Sequence, residues 1–174
     1  MPSADWTNAL LDTLSASGEE GRQAAQYLRA RGTRIGFWRA RSSIGAFWTV
    51  LGRIYLNSRY YTQATSLHDA YLLSLIVHEA RHLQQGVLTA LSVYGELDAW
   101  QAGFRFYHAL TGKYPPHPAV AELMSLPLGW ERAALKRAQM LMRVYAGQGY
   151  RADWLPLYPL PLEVRYWLTG KQIS

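Results

Sequence analysis

The chain contains no cysteine. That excludes a disulfide framework and any thiolate ligand, so a metal held here has to use nitrogen and oxygen donors. It also fits a reducing compartment, and the expected location is cytoplasmic. Long apolar runs are missing as well. Nothing approaches the roughly 18 residues of a membrane span, and Met1-Pro2-Ser3-Ala4-Asp5 lacks the basic and apolar regions of a secretory signal. Charged residues are scarce, 17% against 49% apolar, a globular rather than a disordered composition. No low-complexity segment or internal repeat interrupts the 174 residues. A single domain over 1–174, with one buried core, is the expected organisation.

Aromatic residues are abundant. Seven Trp and twelve Tyr imply aromatic packing or an aromatic-lined groove. The net charge is +6, but the basic residues are dispersed, from Arg22, Arg29, Arg31, Arg34, Arg39 and Arg41 to Arg59, Lys136 and Arg143. No block of like charge and no nucleic-acid motif accompanies them. A solvated basic surface is therefore expected, with no nucleic-acid or membrane partner.

The pattern predicts an α+β fold, mostly helical. Trp6, Leu10, Leu11 and Leu14 fall at helical spacing within Ala4 to Leu14. Ser17-Gly18-Glu19-Glu20 reads as a capping box opening a second helix that Gly32 stops. Short runs of β-branched and aromatic residues follow, broken at Ser42-Ser43 and Leu51-Gly52. They predict three antiparallel strands, 33–39, 45–50 and 53–59, in a small meander. The last is a candidate edge strand for pairing with an extended peptide.

Ser66-Leu67-His68-Asp69 reads as an N-cap with an acid at N3, opening a largely buried helix up to Gly86. The stretch 87–93 crosses back. A further helix runs from Tyr94 to about Leu110, ended by Gly112, and a Pro-rich loop covers 113–118. Another amphipathic helix spans 129–146 and ends at Gly147. The proline-rich tail is expected to be irregular, with a short helix near 163–168.

Within the buried helix stands His78-Glu79-Ala80-Arg81-His82. Residues i and i+4 lie on one helical face, so both imidazoles point at one spot and can share one zinc ion. Glu79 stands about 100° around the helix, close enough to take a proton from an activated water. Catalytic zinc needs three protein ligands and an open position. A continuation H-x-x-G-x-x-H is ruled out, because Gly86 comes one place late and Leu88 occupies the place of a third histidine. Glu96, on the following helix with Ala99 and Gly103 on its face, is the best candidate. Asp98 is the fallback, about 200° around that helix from Glu96. His68 lies about 15 Å along the axis from His78, too far to share the ion. Arg81 reads as an ion-pair or surface residue, and Tyr94, His108 and His117 are candidates to stabilise an oxyanion.

Over 53–110 the chain resembles the gluzincin branch of the zincin metallopeptidases, whose pattern is H-E-x-x-H followed by a glutamate helix. Its architecture looks most like the minimal single-domain gluzincins. Peptidase domains of the ImmA/IrrE kind are also similar, through Glu96-Leu97-Asp98-Ala99. The resemblance implies a zinc-dependent metallopeptidase acting on a peptide or protein. His78, His82 and Glu96 would be the ligands and Glu79 the general base. Two departures stand out: 13 residues separate His82 from Glu96, and Trp100 occupies a place where many gluzincins carry an acid. The alternative is a catalytically inactive zincin-like module that binds or regulates.

Overall fold

The computed structural model describes residues 2–147 and 149–171. Helix α1 (Ala4–Ala16) starts where the Ser3 hydroxyl accepts from the Trp6 amide, and it buries Trp6, Leu10, Leu11 and Leu14 on one face. Helix α2 (Glu19–Ala30) packs against it through Ala24, Ala25 and Leu28. The expected capping box does not form. Ser17 closes α1, with its hydroxyl donating to the Thr13 carbonyl, so the cap position falls on Gly18 at φ 112°.

Strands β1 (Arg34–Trp38), β2 (Ala46–Trp48) and β3 (Arg53–Asn57) lie in the order β1-β3-β2. β2 and β3 form an antiparallel hairpin whose turn closes at Gly52, φ 72°. β1 runs parallel to β3, with Arg34 opposite Arg53 and Trp38 opposite Asn57. The expected antiparallel meander is therefore replaced by a mixed sheet, and β3 is central rather than an edge. The cause is a buried side chain. Asn57 donates to the carbonyls of Arg41 (2.9 Å) and Ile44 (2.7 Å) and accepts from the Ala40 amide (3.1 Å). This clasp holds 40–44 as a wide crossover past the end of β3. β3 then pairs with both neighbours and β2 takes the outside.

Helix α3 (Ala70–Gln85) carries the His78–His82 motif. Asp69, not Ser66, is its N-cap, accepting from the Leu72 amide at 2.8 Å. Ser66 instead stays in the preceding turn, where it accepts from the His68 amide. After the short α4 (Val87–Ala90), helix α5 (Val93–Thr111) begins at Ser92, whose hydroxyl accepts from the Gly95 amide, and ends at Gly112, φ 74°. α5 returns antiparallel along α3: Gly103 lies against Ser74 and His78, and Gln85 reaches Gly95. Helix α6 (Pro118–Ser125) is not anticipated by the pattern; proline sits in its first turn and the His117 ring caps it. Helix α7 (Arg132–Ala146), a 3₁₀ turn at Ala152–Trp154 and α8 (Leu160–Thr169) complete the chain.

Two apolar clusters result. One joins α1, α2, the sheet and α3; the other joins α6, α7 and the tail. α5 serves both, sending Ala102 and Phe106 into the first and Val93, Leu97 and Phe104 into the second. Among the described residues no helix is long and apolar enough to cross a membrane.

Candidate metal centre

Three elements meet at one point: the second half of α3, the first turn of α5 and the segment after α7. From α3, His78 and His82 turn their Nε2 atoms toward each other, 3.1 Å apart. From α5, the Glu96 carboxylate stands 3.5 Å from His82 Nε2 and 3.9 Å from His78 Nε2. Three donors around a tetrahedral ion with bonds near 2.0–2.1 Å lie roughly 3.3 Å apart. His78, His82 and Glu96 are thus close enough to bind a metal ion. The donor set, two imidazoles and one carboxylate, is one that zinc accepts.

The lone pair of His82 also faces the right way for a cation. Gln85 Nε2 donates to the Gly95 carbonyl (2.9 Å) and to Asp98 (2.7 Å), two groups that only accept there. Its Oε1 must then be the atom facing His82 Nδ1 at 3.3 Å, so Nδ1 carries the proton and Nε2 keeps its lone pair. Asp98 in turn accepts a forked pair from Arg81, at 2.7 and 3.2 Å. Asp98 therefore belongs to the support of His82, while Glu96 faces the imidazoles. Arg81 is an ion-pair residue.

Burial sets the electrostatics. It pushes the His78 pKa well below the usual imidazole value, the neighbouring His82 adds to this, and the Ala99 backbone opposes it weakly. His78 Nδ1 has no partner at full hydrogen-bond geometry among the described residues. An uncharged imidazole is what a metal requires. Glu79 is 3% exposed, and its pKa is held well above the carboxylate range by burial first and by the Glu96 charge second; the Trp48 backbone tempers the shift. Glu79 stands outside the three-residue cluster.

Aromatic residues wall the site. Trp100 packs edge-on against His78, ring centroids 4.9 Å apart, and Trp48 lies 5.9 Å from His82. Trp100 Nε1 donates to the Tyr150 hydroxyl at 3.1 Å, and that hydroxyl donates to Glu96 Oε2. The Tyr150 pKa is pushed well above 10, by burial, then by the Glu96 charge, so the hydroxyl stays a donor. Tyr150 escapes the sequence pattern because 54 residues separate it from Glu96. Only the glycines around it, at 147 and 149, hint at a tight turn there.

The other sequence candidates lie elsewhere. Tyr94 stacks on Trp130, His108 packs on Tyr114 near the end of α5, and His117 caps α6.

The site opens into a cavity of about 800 Å³. One wall is the outer edge of β2. Thr49 bonds Arg53 and Asn57 bonds Gly45 across the hairpin, so by alternation Ala46 and Trp48 present their backbone groups outward, to the cavity side. β3 is therefore not an edge; of the two outer strands, β1 and β2, it is β2 that lies along this cavity. No family model, no curated protein and no solved structure matches the chain, so the site's own geometry carries its interpretation.

Proposed function

We propose that this protein is a zinc-dependent metallopeptidase of zincin-like, gluzincin-type construction, acting on peptides in the cytoplasm. The observation that carries the proposal is the convergence of His78, His82 and Glu96 at one point, with a separate buried carboxyl, Glu79, on the wall of the same cavity. The lack of cysteine supports the compartment. A zinc ion held by the three residues would polarise a scissile carbonyl and bring the pKa of water toward about 7.

The chain's own groups divide the remaining work. Glu79 takes a proton from the attacking water on its carboxylate and returns it to the leaving amine. Gln85 and Tyr150 position His82 and Glu96. An extended peptide can add as a strand to the Ala46–Trp48 edge, which would lay its backbone along the cavity.

Glu79→Gln tests the reading. Zinc content and thermal unfolding should match wild type, while hydrolysis of a broad peptide library falls by roughly 10²–10⁴-fold. Undiminished cleavage would reject the mechanism. Wild-type protein that holds zinc and cleaves nothing in the library would leave the non-catalytic binding module.

A further inference from the structure

The sequence scatters its basic residues, but the fold gathers four of them on the cavity that holds the metal centre. Arg39, Arg41, Arg59 and Arg151 all line it, and all are exposed. Among the described residues, the only carboxylates on the lining are Glu79 and Glu96, both committed to the centre. Elsewhere five arginines pair with an acid: Arg22 with Glu19, Arg29 with Asp12, Arg81 with Asp98, Arg132 with Glu163 and Arg137 with Glu122. The others outside the cavity, such as Arg31, Arg34 and Arg53, have no such partner among the described residues, so it is the convergence of four on the metal-bearing cavity that matters. None of the four cavity arginines has a carboxylate within ion-pair distance among the described residues.

Their mounting is firm. Arg39 precedes the crossover that Asn57 clasps through three hydrogen bonds, and Arg41 lies within it, its carbonyl accepting one of them. Arg59 follows β3, and its Nε donates to the Ala40 carbonyl at 2.9 Å. Its terminal nitrogens have no partner among the described residues. Arg151 stands beside Tyr150 with its guanidinium 4.6 Å from the centre of the Trp154 ring. Positive charge is thus carried both by the sheet-side loop and by the segment after α7. A cleft lined by one sign of charge focuses its field and raises the local concentration of the opposite charge. A bound divalent cation would add to that field.

We infer that the substrates are acidic peptides, whose carboxylates are gathered by Arg39, Arg41, Arg59 and Arg151 while the backbone lies along β2. The forked guanidinium matches a carboxylate with two parallel hydrogen bonds. The inference rests on the peptidase reading above and deepens it by naming the substrate class. A carboxylate can come from Asp and Glu side chains or from a free C-terminus, and the same arginines serve either.

The test uses the zinc-loaded full chain and peptides of one length in four forms. These are Asp/Glu-rich with blocked ends, neutral with blocked ends, neutral with a free C-terminus, and Lys-rich. At low salt, kcat/KM for a carboxylate-bearing form should exceed the blocked neutral form by roughly tenfold or more, and the ratio should shrink as salt is added. Which of the two carboxylate forms gains tells side chain from terminus. In Arg41→Glu with Arg151→Glu the ratio should fall to about one or invert, with the melting temperature as the check on folding. The single variants Arg41→Ala and Arg151→Ala should each lower it if the double variant does not fold.

Binding of the labelled acidic peptide to zinc-loaded Glu79→Gln, read by fluorescence anisotropy, separates the two ideas. Acid-selective binding without wild-type cleavage would sink the peptidase reading and leave the acidic ligand. Cleavage with equal kcat/KM for all four forms would sink the acidic preference alone. A single-stranded oligonucleotide of equal charge that binds more tightly than the acidic peptide would also overturn it.

Discussion

At the residue scale the candidate centre separates atoms that would touch a metal from atoms that hold them. Glu96 faces both imidazoles, whereas Asp98 is taken by Arg81 and Gln85. Glu96→Gln should therefore weaken zinc binding more than Asp98→Asn, measured by competition with a chelator. The opposite order would reassign the third ligand. Tyr150→Phe removes the hydroxyl that donates to Glu96 while keeping the ring that packs near Trp100. Loss of such a supporting bond costs roughly 10–100-fold in metal affinity. Zinc affinity unchanged alongside a reduced kcat would instead place the hydroxyl on the reacting carbonyl. The i, i+4 histidines are legible in sequence because their pairing needs only helical geometry, with no partner from elsewhere. Gln85 lies only three residues beyond His82, yet its role depends on Asp98 and Gly95, which the local pattern does not place. The same limit hides Tyr150.

At the element scale the site depends on how closely α5 lies on α3. Gly103 marks the contact: a Cβ there would stand 3.2 Å from the Ser74 carbonyl and 3.4 Å from His78 Cβ. Neither neighbour can swing away, since one is helix backbone and the other is the root of a ligand side chain. Gly103→Val should cost about 1–3 kcal/mol of overpacking and, by tilting His78, lower zinc affinity. Chemical denaturation and zinc titration together check this; a variant with lost stability but full zinc affinity would mean that the strain relaxes away from His78. Helices α3, α5 and α7 are readable from apolar spacing and from the glycines at 86, 112 and 147, whereas α6 is not. Strand order was not. Alternation within a strand says which face is buried, but not which neighbour it pairs with. Here the choice is made by Asn57, whose side chain shapes a crossover 13 to 17 residues away in sequence. That decision puts β3 inside the sheet and leaves β2 as the outer strand on the cavity, the wall along which a peptide can lie.

At the scale of the whole molecule the centre sits on the seam between two apolar clusters. His78, Glu79 and His82 belong to the helix packed into the first, while Tyr150 comes from the segment that packs with the second. Glu96 projects from α5, the helix both share. An ion held by His78, His82 and Glu96 would tie α3 to α5, and Tyr150, which donates to Glu96, links that site to the second cluster. An ion that binds only the folded chain stabilises it by RT ln(1 + [L]/Kd), about 2.7 kcal/mol when free zinc is one hundred times Kd. A domain of this length gains roughly 2–4 °C per kcal/mol, so the melting temperature should rise by roughly 5–11 °C over chelator-treated protein. In His78→Ala and His82→Ala the zinc-dependent rise should vanish, with elemental analysis showing less than one zinc per chain. The size of the rise in Glu79→Gln should equal that of wild type, because Glu79 stands outside the ligand cluster. A rise that survives both histidine substitutions would place the stabilising ion elsewhere in the protein and remove the centre on which the proposed chemistry depends.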